Sequence, residues 1–347
     1  TTIVLRDANA IVLGDVSATS DLTVTATAGT ITDEAAGVIS VDGATSLSAS
    51  GDILIDNVGV HDFTGAITLA GEDITVRGDT LTLGVVSADD AAADGLIAGD
   101  GDISLTSETG VLTLTDAITV GGNTGDLSLT ANAGVLQSGG TVTVDGLTIA
   151  TGAAAADLSS GANDANEFYV TSGGAISFND RNYLAIGSVD ASALTITADG
   201  EIDGIAGQGI VVAGATDIST SVGSVELTEV TNDFQGTVAA SAQQNVAITD
   251  ANAILLDDIT ASGTLTVNAL NGAITQGAGA SLAAGVGDFA NTVGNITLDQ
   301  DVALRTLRIN TTGDALVNNT GSVDLGAVTA NSFLDRKSTR LNSSHDQ

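Results

Sequence analysis

Residues 250–267 read Asp250-Ala251-Asn252-Ala253-Ile254-Leu255-Leu256-Asp257-Asp258-Ile259-Thr260-Ala261-Ser262-Gly263-Thr264-Leu265-Thr266-Val267, and Gly272-Ala273-Ile274-Thr275-Gln276 follows shortly after. The same text stands at the start of the chain. Asp7-Ala8-Asn9-Ala10-Ile11, Leu22-Thr23-Val24, Gly29, Ile31 and Thr32 match it at a constant offset of 243 residues. Residues 1–33 align without a gap to 244–276 and are identical at 15 of 33 positions, too many for shared composition to explain. Self-similarity of this kind is the signature of repeat architectures.

A shorter unit recurs inside the longer one: a small residue, any residue, an aliphatic, Thr or Ser, an aliphatic, then Gly about five residues on. Gly101-Asp102-Ile103-Ser104-Leu105 with Gly110 is one copy, and Gly125-Asp126-Leu127-Ser128-Leu129 with Gly134 is another. A looser relation links Asp62-Phe63-Thr64-Gly65, Asp233-Phe234-Gln235-Gly236 and Asp288-Phe289. Within each unit the alternation has period two, as in Leu22/Val24, Ile53/Ile55, Ile74/Val76 and Leu194/Ile196. Aliphatics on one side and Thr, Ser or Asp on the other predict half-buried strands. Gly, Asn and Asp between them predict turns. A strand this short cannot bury its face alone, but many stacked in register can.

The reading is therefore all-β, a right-handed parallel β-helix of roughly 14–17 short coils, at about 20–24 residues per coil over residues 1–334. At the usual strand spacing such a solenoid would be a rod of roughly 65–80 Å. Tandem β-sandwich repeats are the alternative. Sandwiches of about 100 residues carry a buried aromatic anchor and linkers between domains. Here the aromatic fraction is 2% and Pro is absent. Residues 1–334 are accordingly expected to form one continuous solenoid, with an irregular, aromatic-containing stretch near 155–185.

Composition narrows function. The 347 residues hold 43 acidic and 8 basic side chains, a formal charge of −35, yet 43% are hydrophobic. That apolar fraction argues against disorder. The charge repels phosphate backbones and anionic headgroups, so nucleic-acid binding and membrane insertion are not expected. No apolar run approaches the roughly 18 residues that a spanning helix needs. Without Cys there is neither a disulfide framework nor a thiolate nucleophile. Of the acidic residues 36 are Asp and 7 Glu, a bias that fits turns, where Asp bonds its own backbone.

The two ends read differently from the rest. The chain begins at Thr1 and contains no Met, as expected of an internal piece of a longer protein. Asp335-Arg336-Lys337-Ser338-Thr339-Arg340-Leu341-Asn342-Ser343-Ser344-His345 breaks the composition of everything before it. It resembles the translation of a common sequencing adapter, and residues 335–347 are read as a non-native tail. Without them the balance is 5 basic against 41 acidic, or −36.

The Asp-Phe-Gln-Gly and Asp-Ala-Asn-Ala-Ile elements, with Gly-Thr-Leu-Thr-Val and Gly-Ala-Ile-Thr-Gln after them, resemble repeats of large filamentous-haemagglutinin-like bacterial exoproteins. The best-matching stretch runs from Asn232 to Gln276. The resemblance implies a secreted or surface-anchored bacterial adhesin that meets a host or neighbouring-cell receptor or glycan, exported through an outer-membrane secretion partner. The expected role is a structural, adhesive stalk without catalysis. An S-layer or matrix protein is one alternative, and a β-helical polysaccharide-active enzyme is another.

Candidate chemistry is thin. His61 is the only His outside the tail, so any Ser-His-Asp triad would have to use it; its place before Asp62-Phe63 predicts a solvated turn instead. The pairs Asp89-Asp90 and Asp257-Asp258 could serve acid/base work, with Arg6, Arg77, Arg181, Arg305 and Arg308 the available cations. Gly99-Asp100-Gly101-Asp102, with Asp89, Asp90 and Asp94 before it, could bind Ca²⁺ weakly at the surface. However, the Gly-rich nonapeptide of calcium-binding β-rolls is absent, and Gly121-Gly122 and Gly139-Gly140 do not continue it. No catalytic, cofactor-binding or metal-ligating residue is therefore assigned. The segment from Glu167-Phe168-Tyr169 to Phe178-Asn179-Asp180-Arg181-Asn182-Tyr183 is either a partner-binding loop or an aromatic plug in the core.

Overall fold

The computed structural model describes residues 1–58, 61–88, 101–121 and 124–335. Among them there is no α-helix, and every strand pairing is parallel. Strands of successive turns stack as a β-solenoid of about 15 turns. By contact density the chain divides into two compact units: Thr1–Leu184 with Val189–Ser192, and Ala185–Ser188 with Ala193–Gln347.

In the first unit three columns of strands are built from the alternating segments. Ile3–Asp7 lies on Leu22–Ala26, which lies on Thr45–Ala49 and then Ala66–Gly71. Ile11–Leu13, Ile31–Asp33, Ile53–Ile55, Ile74–Gly78, Ile103–Ser107 and Leu127–Ala131 make the second. Val16–Ala18, Ile39–Val41 and Asp62–Phe63 make the third. Registers such as Ile103↔Leu127 and Leu127↔Leu147 put like residues over one another. In the second unit one column runs Ile202, Val225, Val246, Leu265, Gly287, Leu307, Leu325.

Each column fills the inside of its turns. Val24, Ile31, Ile74, Leu105, Leu129 and Ile196 are inaccessible to solvent, and each contributes about 1.5–3 kcal/mol on burial. The Thr and Ser between them face outward and stay half-exposed. Large rings also enter the core: Phe63, Phe168, Phe178, Phe234 and Phe289 are buried. Glycine makes the room. A Cβ at Gly287 would lie 2.7 Å from the Phe289 ring and 2.6 Å from Leu304, so a Gly in an otherwise aliphatic column offsets a neighbouring Phe.

Through the stretch near 155–185 the stacking continues, with a register shift between Ile149 and Ala150 in the pairing beneath it. Ala156–Asp180 is extended throughout, and Leu147↔Phe168 and Thr148↔Tyr169 continue the column below it. Phe168 and Phe178 stack inside, with centroids 4.8 Å apart and planes at 18°. The aromatic plug describes these two rings. Both Tyr point outward instead: Tyr169 is half-buried with its hydroxyl donating to Glu167, and Tyr183 is 45% exposed. Of residues 335–347, read from the sequence as a non-native tail, those beyond Asp335 lie outside the described residues.

Candidate functional site

The polar interior of the turns is the best-built feature of the molecule. Asn232 is 1% exposed, accepts the Ile210 N–H on its Oδ1 at 3.0 Å, and donates to the Leu227 carbonyl. Asn163 does the same for Val142 at 2.9 Å and Leu158. His61 takes this place in another turn: its Nδ1 accepts the Ile39 N–H at 3.2 Å. Far from being solvated, as its sequence context suggested, His61 is fully buried. The reason is that a turn of this solenoid needs an acceptor for the amide of the preceding turn, and an imidazole nitrogen supplies it as an amide oxygen does.

That placement settles the roles of the His61 nitrogens. A ring nitrogen that accepts carries no hydrogen, so Nε2 holds it and donates to Asp33 Oδ2 at 2.8 Å. Both nitrogens are thereby occupied by backbone and carboxylate. As placed, His61 has no nitrogen left to take a proton from a Ser hydroxyl, so no triad is assembled around it.

Buried carboxylates fasten other turns. Asp250 accepts the Phe234 N–H at 2.8 Å and the Asn252 N–H at 2.6 Å; Asp180 accepts from Ala165 at 2.9 Å and Asn182 at 2.7 Å. Asn319 plays the part for Leu304. Asp7-Ala8-Asn9 closes the same Asp-x-Asn turn, with the Asn9 N–H on Asp7 at 2.8 Å. Asp180-Arg181-Asn182 is thus a third copy of a motif that the sequence displayed twice. Burial pushes the Asp180 carboxyl up to about 6, against the opposing pull of its two N–H donors. Asp250 is raised for the same reason.

A pH dependence follows from Asp180. With a folded value of about 6 against 3.8 unfolded, the folded chain holds an extra proton between those two values. Stability therefore falls as pH rises through that window, and acidification restores up to about 3 kcal/mol. Thermal unfolding followed by circular dichroism is expected to give a higher Tm at pH 4.5 than at pH 7.5. Asp180→Asn should flatten that slope while losing one accepted N–H bond; a slope unchanged in the variant would contradict the assignment.

On the outside, aspartates form a ladder. The Asp73 N–H donates to Asp52, Asp102 to Asp73 at 2.8 Å, Asp126 to Asp102 at 2.9 Å, and Gly146 to Asp126 at 3.0 Å. Burial and the neighbouring Asp102 raise the Asp126 carboxyl. A shallow hollow of about 270 Å³ beside it is lined by Asp73, Thr75, Asp102, Ser104, Asp126 and Ser128. Their second oxygens could attract hydrated cations. Among the described residues, however, no three His, Cys, Asp or Glu converge closely enough to hold one ion. Asp89, Asp90, Asp94, Gly99 and Asp100 lie outside the described residues.

The other candidates are separated. Asp258 accepts both the N–H and the hydroxyl of Ser281, which hold its exposed carboxyl below the usual range, so it is engaged with Ser281 and not paired with Asp257. Arg77 is bound to Glu108 at 3.1 Å, Arg181 to Asp164, and Arg308 approaches Asp288 at 3.8 Å. Arg305 stands at an open groove of about 590 Å³ lined by small residues such as Thr260, Ser262, Ala283 and Gly285. Arg6 is exposed on the strand Ile3–Asp7. The ion pairs of Arg77, Arg181 and Arg308 join residues far apart in sequence, so these three cations serve the stack. Among the described residues no helix is long and apolar enough to cross a membrane.

Neither a curated protein nor a solved structure matches the chain. Three segments, residues 1–70, 173–241 and 243–304, match one family. Its starts at 1 and 243, 242 residues apart, fall within one residue of the internal repeat at offset 243. The start at 173 agrees with the shared fastening of Ile39 by His61 and Ile210 by Asn232. The stacking continues through the described part of residues 71–172, between the matched segments. The matched segments cover more than half of the sequence, and the chain belongs to the family of repeats of unknown function (DUF5649).

Proposed function

We propose that the chain is a structural and adhesive stalk segment of a large bacterial protein that is secreted or held at the cell surface. The observation that carries this reading is the fastening of turn to turn: buried Asn, Asp and His acceptors recur at equivalent places. Such a design spends its polar residues on stacking, and it leaves an outer surface of repeated Thr, Ser and Asp. The resemblance to filamentous-haemagglutinin-like exoproteins adds a receptor or glycan on another cell as partner, and export through an outer-membrane partner. The acidic ladder would gather Ca²⁺ weakly, as a screening ion, with no defined cofactor site.

Adhesion is tested directly. Beads coated with the whole chain are presented to host-cell and bacterial surfaces and to immobilised glycans, with and without Ca²⁺, and detachment force is measured. Retention above that of albumin-coated beads is the expected result. Retention no better than albumin would refute the adhesive role. Release of reducing or unsaturated sugars from polysaccharides by the same chain would replace it with the enzymatic reading.

A further inference from the structure

We propose that His61 is an acid-operated release for one inter-turn fastening in the first unit, where Asn163 and Asn232 are permanent ones. The three side chains share one bond, although the Asn amides donate to a backbone carbonyl and His61 to the Asp33 carboxylate. Each is buried, and each accepts the backbone N–H of a residue one turn earlier, Ile39, Val142 or Ile210. Only one of the three acceptors can take a proton. An amide oxygen keeps its lone pairs across the biological pH range, whereas imidazole changes state near neutrality.

The two ring nitrogens respond differently to that proton. Nε2 already carries hydrogen and points at Asp33 Oδ2 at 2.8 Å. A second proton must go to Nδ1, which faces the Ile39 N–H at 3.2 Å. Two donors then oppose each other, and the Ile39 amide is left buried without an acceptor. The conflict is resolved at the weaker side: the ring keeps its bond to the Asp33 carboxylate, and the strand Ile39–Val41 loses its hold on the turn above.

Asp33 also accepts the Asn57 N–H and is the charged side chain in contact with the ring. In sequence Glu34 follows Asp33, Asp42 follows the strand Ile39–Val41 and Asp62 follows His61, and all three are exposed. Asp79 reaches His61 through its backbone N–H, which donates to the His61 carbonyl. On the strand Ile74–Gly78, Arg77 is engaged by Glu108. Released, the third column of the first unit opens at Ile39–Val41, while acidification acts in the opposite, stabilising sense on Asp180. The inference does not depend on the adhesive role.

Amide hydrogen exchange on the whole chain tests it, with rates at pH 8 and pH 5 corrected for intrinsic chemistry. The expected result is that protection at Ile39 falls about tenfold on acidification, the loss of one buried hydrogen bond, while Ile210 and Val142 keep theirs. His61→Asn should make Ile39 behave as Ile210 does. Should that variant not fold, ring ¹⁵N shifts of the unmodified protein decide: Nε2–H at pH 8, doubly protonated at pH 5 in step with Ile39 exchange. Equal protection of Ile39 and Ile210 at both pH values, or a ring that stays neutral at pH 5, overturns the proposal.

Discussion

Gly236→Val is expected to destabilise the second unit by about 3 kcal/mol, at the upper end of what overpacking usually costs. A Cβ at this position would sit 2.1 Å from the carbonyl oxygen of Gly214 and 2.3 Å from its carbon. Both are backbone atoms, so no rotamer change relieves the contact. The turn has to lift off its neighbour, and the bond from the Gln235 N–H to the Val212 carbonyl at 2.9 Å is stretched with it. The Thr216↔Val238 pairing follows. The same glycine-on-glycine contact occurs at Gly65 on Gly43 and Gly313 on Gly294, which explains much of the glycine content. Gly321→Ala is the control, because nothing stands within 4 Å of its Cβ. Urea denaturation should show a lowered midpoint for Gly236→Val and an unchanged one for Gly321→Ala. Equal midpoints for the two would mean that neighbouring turns are not in contact there.

Much of the solenoid was legible before any coordinates, because side-chain alternation and turn spacing are local properties. Leu22/Val24, Ile53/Ile55 and Ile74/Val76 point inward as the period demands. The offset of 243 residues marks real equivalents, with Asn9 on Asp7 and Asn252 on Asp250 closing the same turn. The buried polar network was not legible. Asn, Asp and Gln are the residues of exposed turns too, and composition does not distinguish a turn tip from a corner that faces the core. Asn163, Asn232, Asp180 and Asn319 therefore passed as turn residues, and His61 was placed in solvent. A signal did exist for His61: it stands 171 residues before Asn232, and Asp-Phe follows both. The third Asp-x-Asn, at Asp180, was hidden because the aromatics around it looked foreign to the repeat.

The same network changes what the charge means. Asp73, Asp102 and Asp126 each spend one oxygen on the amide of the next turn, and Asp21 and Asp15 do so for Ala44 and Val38. A carboxylate that accepts a backbone N–H does the work of a sheet hydrogen bond at a corner where the chain has left the ladder. The excess of Asp over Glu fits this, since the shorter side chain has fewer rotors to fix in making such a bond, although Glu229 also accepts the Gly207 N–H. A net charge of −35 is thus spread over the corners rather than gathered to face a cationic partner.

Phe168→Ala is expected to cost the first unit about 3–5 kcal/mol, the usual range for removing a fully buried ring. Phe168 is inaccessible to solvent and Phe178 is 1% exposed. Their offset stack at 4.8 Å adds about 0.5–1.5 kcal/mol beyond burial. The ring also covers Leu147 in the turn before it, so its loss opens a void at two levels of the column. Because the two rings share one contact, Phe168→Ala and Phe178→Ala should be less than additive in a double-mutant cycle. The coupling separates packing from surface effects, and the outward Tyr169, next to Phe168 in sequence, supplies the surface control. Tyr169→Phe, which removes only the hydroxyl bond to Glu167, should change stability by no more than about 1 kcal/mol. Chemical denaturation of the four variants supplies every term. Strict additivity of the two Phe→Ala changes would place the rings in separate environments, and a loss below about 1 kcal/mol for Phe168→Ala would remove residues 156–180 from the core.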